Sequence, residues 1–163
     1  MKNSSSRREL IKAGLVGAVA AAVPSLAEAQ TKPRPPALDP ALVKEFVIAG
    51  HTNLPRVKEM LETEPRLLNA SWDWGGGDFE SALEGAGHMG NHEIAQFLIS
   101  KGARMSIFQA AMLGELDHVK EVLKAHPESA VSKGPHGIPL IAHAKAGGDS
   151  AKPVLDYLEK LSP

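Results

Sequence analysis

The chain has 163 residues, of which 43% are hydrophobic and 23% charged, and it contains no cysteine. This composition indicates one folded domain with a modest core, and it excludes a structural disulfide, a thiolate metal site and a nucleophilic cysteine. The formal net charge of −1 at pH 7 lacks the basic surplus of a general nucleic-acid binder, so nucleic acid is not expected as a partner.

Residues 1–29 have the features of a cleavable export signal. Arg7 and Arg8 precede a weakly apolar stretch that is about half of the roughly 20 residues a membrane-spanning helix needs, so no stable membrane insertion is expected after cleavage. Ala27 and Ala29 have the small-x-small spacing of a signal-peptidase site, which predicts cleavage after Ala29. The arginine pair resembles the twin-arginine motif, which exports folded proteins and implies a periplasmic location. A chance arginine pair in a general secretory signal is the alternative.

Residues 30–40 contain four prolines and show no apolar periodicity. This composition is typical of an extended linker between a cleavage site and a folded domain. The folded domain is therefore expected to span residues 41–163.

A pattern of two short helices joined at a glycine repeats along this domain. Copies of it occupy residues 46–61, 83–98, 107–123 and 140–147. In the second copy Ile94, Phe97 and Leu98 fall on one helical face. In the first copy Asn53 replaces the glycine, and we expect it to adopt the same left-handed conformation. Because helices this short are unstable alone, pairs of them must stack and share a core, which predicts an all-α fold.

The best copy has the spacing Leu83-x-x-Ala86-x-x-x-Gly90-Asn91-x-x-Ile94-x-x-Phe97-Leu98. This motif resembles ankyrin repeats in divergent form. The resemblance covers about four repeats and implies an ankyrin-type solenoid that binds proteins without catalysis. A generic array of helical hairpins, such as a tetratricopeptide stack, is the alternative, but the Trp, Gly and Tyr pattern of that family is absent. The interval between the second and third repeats is short, so a tight turn near Met105 should replace the usual hairpin.

Both tryptophans lie in one unusual segment where the first inter-repeat hairpin is expected. Its candidate partner-binding residues are Trp72, Asp73, Trp74, Asp78 and Phe79. Ankyrin domains commonly bind through hairpin tips, and tryptophan is enriched at binding hot spots. The prediction is therefore a module that docks a periplasmic protein or peptide, and it could be an accessory to an exported enzyme. The alternative for this segment is a tryptophan that packs over the first helix pair.

The seven histidines raise the question of a metal site. His88 and His92 are separated by a glycine at a helix junction, so they do not share one helical face. Only His126, His136 and His143 are expected to be able to converge, and nothing in their spacing requires it. The prediction is no metal site, although a small-ligand or metal-handling protein using these C-terminal histidines is kept as the alternative function. Hydrolase, phosphate-loop and dinucleotide motifs are absent from the sequence, which predicts no enzyme and no cofactor.

Overall fold

The computed structural model describes residues 34–161, and these residues form an all-α fold with one small β-hairpin. The helices are α1 (Pro40–Thr52), α2 (Leu54–Thr63), α3 (Ala82–His88), α4 (His92–Ser100), α5 (Ile107–Leu113), α6 (Leu116–Ala125), α7 (Leu140–Ala146) and α8 (Lys152–Leu161). Short 3₁₀ helices occupy Pro65–Asn69, Pro127–Val131, Pro135–Gly137 and Gly148–Ala151. The expected export signal, residues 1–29, and the start of the linker lie outside the described residues.

The hairpin joins the first and second helix pairs. It consists of β1 (Ser71–Asp73) and β2 (Phe79–Ser81), which are antiparallel and place Trp72 opposite Glu80. Its position is that of the first expected inter-repeat hairpin. Between α4 and α5 the structure has an irregular turn with no strand, as the short interval predicted.

The helices pack as four consecutive pairs. The first helices of the pairs form a row in which α1 contacts α3, α3 contacts α5 and α5 contacts α7. Helix α3 also contacts α7, so this row is tightly curved. The curvature brings the loop that precedes α7 close to the first two pairs. None of the helices within residues 34–161 is long and apolar enough to cross a membrane.

Two clusters of buried side chains form the core. One lies among α1 to α4 and includes Phe46, Leu83, Ile94 and Leu98; the other lies among α5 to α8 and includes Leu123. The predicted apolar face of α4 is therefore buried, although Phe97 is only partly covered. Burial of this surface is what stabilises helices that are too short to form alone.

Two of the four turns within the helix pairs have the left-handed glycine that the pattern indicates. In the fourth pair Gly147 has a φ of −69°, and the next residue, Gly148, is left-handed instead. Gly90 and Gly114 adopt φ values of 68° and 82°, which only glycine adopts readily. The expectation that Asn53 shares this conformation is wrong, because its φ is −118°. Helix α2 begins at the next residue, so Asn53 acts as its N-cap. Its side chain accepts a hydrogen bond from the Arg56 backbone N–H, which leaves no need for a left-handed turn.

Candidate metal centre

Four side chains from separate parts of the sequence converge beside the hairpin. His51 lies in the last turn of α1, Glu80 in β2, His88 at the end of α3 and His136 in the 3₁₀ helix before α7. One possible ligand atom from each of them lies within 4.8 Å of the others. We call these residues the His₃Glu cluster.

The local structure explains why these side chains meet. Successive side chains of a strand point to opposite sides, so Phe79 is exposed while Glu80 is fully buried. Helices α1 and α3 lie side by side, and their terminal rings, His51 and His88, pack edge to face with centroids 4.9 Å apart. The curvature of the helix row then brings His136 to the same place, with its ring centroid 5.5 Å from that of His88.

The three imidazoles surround one carboxylate oxygen. Glu80 Oε1 lies 2.8 Å from His88 Nε2, 3.3 Å from His136 Nε2 and 3.4 Å from His51 Nε2. The other oxygen, Oε2, accepts a hydrogen bond of 2.8 Å from the indole N–H of Trp74. The carboxylate is therefore held in one orientation, with Oε1 directed at the histidines.

Two of the imidazoles are fixed through their other nitrogen. His51 Nδ1 lies 3.0 Å from the Val47 carbonyl oxygen, so Nδ1 carries the proton and donates it. His136 Nδ1 lies 2.8 Å from Asp78 Oδ2 and donates in the same way. Histidines that bind metals typically donate Nδ1–H to a carbonyl or a carboxylate, which orients the ring and leaves Nε2 for the metal.

Asp78 holds His136 at both the backbone and the side chain. Besides the ring contact, Asp78 Oδ1 accepts the His136 backbone N–H at 2.8 Å. His136 has a φ of 59°, an uncommon conformation for a residue other than glycine. Two hydrogen bonds from one carboxylate offset the cost of this conformation. The hydrogen bonds from the backbone and the ring of His136 hold the pKa of Asp78 below its usual value.

Glu80 is an anion in this environment. Burial raises the pKa of its carboxyl, but hydrogen bonds from His51, His88 and Trp74 outweigh that effect and leave the pKa well below its usual value. The hydrogen bond to Glu80 in turn raises the pKa of His51. A buried negative charge is costly unless a proton or a cation compensates it. Because Nδ1 of His51 and of His136 donates to a fixed acceptor, Nε2 of each ring is the atom that faces the Glu80 carboxylate.

The five predicted partner-binding residues have different roles in the structure. Trp72 is partly buried against the first core, whereas Trp74 is 38% exposed and Phe79 59% exposed. The Asp73 side chain lies at the hairpin tip, where its Oδ1 accepts hydrogen bonds from the backbone N–H groups of Gly75 and Gly77. Asp78 belongs to the support of the His₃Glu cluster, as described above.

Of the three C-terminal histidines that were expected to be able to converge, only His136 belongs to the cluster. His126 is exposed and lies beside Glu128. His143 is fully buried in the second half of the domain, and its Nδ1 donates to the Pro139 carbonyl oxygen. The three do not meet, because α7 turns the side chain of His143 into the core.

The repeated motif indicates that two of the four cluster residues are neighbours. His51 and His88 occupy the same position of the repeated motif, two residues before Asn53 and Gly90 respectively. Equal positions in stacked repeats are neighbours in space, so these two histidines could have been paired. The inward direction of the Glu80 side chain depends on the register of the hairpin, and the position of His136 depends on the curvature of the helix row. The repeated motif specifies neither.

No protein-family model, curated protein or solved structure matches this chain. The functional argument therefore rests on the geometry of the His₃Glu cluster and on the sequence patterns.

Proposed function

We propose that this protein binds one divalent transition-metal ion, of the zinc class, through His51, Glu80, His88 and His136. The observation that carries the proposal is the convergence of one ligand atom from each residue within 4.8 Å, with the three imidazole Nε2 atoms 2.8 to 3.4 Å from Glu80 Oε1. Imidazole and carboxylate donors suit zinc and its neighbours in the first transition series, whereas magnesium and calcium prefer oxygen donors alone.

The distances within the cluster suit such an ion. Zinc bonds to imidazole nitrogen and carboxylate oxygen are about 2.0–2.2 Å, so neighbouring ligand atoms of a tetrahedral site lie roughly 3.3 Å apart. The Glu80 oxygen lies 2.8 to 3.4 Å from the three nitrogens. A divalent ion would also compensate the buried charge of Glu80.

Metal titration of the untagged protein tests this function. We expect metal-free protein to bind one Zn²⁺ or Co²⁺ per chain in calorimetry, and elemental analysis after dialysis to give the same stoichiometry. Glu80→Gln and the double variant His51→Gln/His88→Gln should lose this binding. His118→Gln, which changes an exposed histidine beside Glu115, is the matched control and should bind as the wild type does. Absence of stoichiometric binding by folded wild-type protein would overturn the proposal.

We propose partner docking as a second function, and the ankyrin-type solenoid as the architecture that presents it. The resemblance of the repeated motif and the stacked helix pairs support the architecture. The exposed aromatic rings of Phe79 and Trp74 on the hairpin support docking of a protein or peptide, since exposed aromatic residues are frequent anchors of interfaces.

A folded Phe79→Ser variant should lose a periplasmic protein that the wild type retains on a column. Val131→Ser, which alters an exposed apolar residue outside the hairpin, is the control. Equal retention by both variants would exclude the hairpin.

We also propose that residues 1–29 direct export to the periplasm by the twin-arginine route. The arginine pair and the alanine cleavage pattern support this location. Replacement of Arg7 and Arg8 by lysine should leave uncleaved precursor in the cytoplasm, measured by fractionation. Unchanged export of this variant would indicate the general secretory route.

A further inference from the structure

The His₃Glu cluster is open to solvent on one side. Glu80 has no exposed side-chain surface and forms the floor, while the side chains of His88, His51 and His136 are 10%, 22% and 33% exposed. The protein donors therefore approach an ion from the interior, and the side of His136 and His51 faces water. Structural zinc sites are usually closed by four protein ligands, whereas open sites keep a position for water or substrate.

An aromatic ring lies beside His136, and a lysine lies against that ring. The Trp74 ring lies 5.9 Å from the His136 ring and is 38% exposed. The Lys44 ammonium group lies 6.0 Å from the Trp74 ring and 5.3 Å from the Trp72 ring. The two acidic groups of the cluster and its support already have partners, because Glu80 faces the histidines and Asp78 holds His136. This combination of a cation and an aromatic surface suits a small anion with an apolar body.

We infer that the bound ion keeps an exchangeable coordination position beside His136, and that this position takes a small organic carboxylate. The inference rests on the proposed metal-binding function. The carboxylate oxygen would replace water on the ion, Lys44 would attract its charge, and the Trp74 ring would contact its apolar part.

Cobalt substitution separates this inference from the function on which it rests. Protein loaded with one Co²⁺ per chain is titrated with acetate and with benzoate, and the visible absorption of the ion reports its coordination. We expect a saturable spectral change with both anions, with benzoate binding at least several-fold more tightly, and no change with neutral benzamide. Failure to bind Co²⁺ would overturn both proposals. Stoichiometric Co²⁺ with a spectrum that neither anion alters would overturn the inference alone and indicate a site closed by four protein ligands.

A lysine variant tests the recognition of the anion. Lys44→Met should weaken acetate binding several-fold while Co²⁺ affinity stays within about twofold. Lys58→Met is the matched control, because Lys58 also lies over an aromatic ring, that of Phe97 at 5.3 Å, but outside the cluster. Equal anion affinities in the two variants would overturn the role assigned to Lys44.

Discussion

The decisive residue is Glu80, a fully buried carboxylate whose two oxygens have different partners. One oxygen is fixed by Trp74 and the other faces three imidazole nitrogens. A buried carboxylate in a small domain costs stability unless every lone pair is satisfied. Its position next to three histidines is explained if the charge serves to hold a cation.

Asp78 is expected to act as a positioning residue for the metal. Asp78→Ala removes both hydrogen bonds to His136, so Zn²⁺ affinity should fall by about 10–100-fold in a chelator competition assay. Asp73→Ala is the control, since Asp73 lies in the same hairpin but bonds only to its tip, and it should change the affinity by less than about threefold. Wild-type affinity in Asp78→Ala would contradict this role.

His143 should make stability depend on pH. Burial lowers the pKa of this histidine below its ordinary value of 6.5, so the unfolded chain takes up the proton first as pH falls. This histidine therefore does not reduce the free energy of unfolding above about pH 6.5. Below that pH it lowers the free energy of unfolding by at most about 1.4 kcal/mol per pH unit. Urea denaturation of metal-free protein at pH 7.5 and 5.5 measures the loss. His143→Gln should lose less stability over this interval than the wild type; an equal loss would show that other groups cause it.

At the scale of elements, the helices follow from the sequence more directly than the cluster does. The spacing of Ile94 and Leu98 predicts a buried helical face, and glycines at the repeat turns predict the helix boundaries. The motif does not predict the conformation of Asn53. This residue either ends one helix or caps the next, and the choice depends on where the next helix begins. The same limit applies to Glu80, whose inward direction is set by the register of a three-residue strand.

Core truncation tests the assignment of these helices. Leu98 and Leu123 are buried in the two different core clusters, so replacing either with alanine should lower the free energy of unfolding by about 2–5 kcal/mol. Ile48→Ala, at an exposed position of α1, should lower it by less than about 1 kcal/mol. Chemical denaturation measures all three, and a loss below 1 kcal/mol at both leucines would contradict the packing.

At the scale of the whole molecule, the curvature of the row of first helices brings the residues of the His₃Glu cluster together. The contact of α3 with α7 brings the loop that carries His136 to residues of the first two helix pairs. Nothing in the local sequence around His136 predicts this arrival, since it results from the summed packing of the intervening pairs. A metal held by the His₃Glu cluster would link the beginning and the end of the helix row, so loading should raise the thermal stability of the domain.

The most direct test of this account is a crystal structure of the zinc-loaded protein with anomalous data recorded at the zinc absorption edge. The account predicts one anomalous peak at about 2.0–2.2 Å from His51 Nε2, Glu80 Oε1, His88 Nε2 and His136 Nε2. A loaded crystal with its zinc only at exposed histidines such as His118 or His126, and none at Glu80, would contradict it.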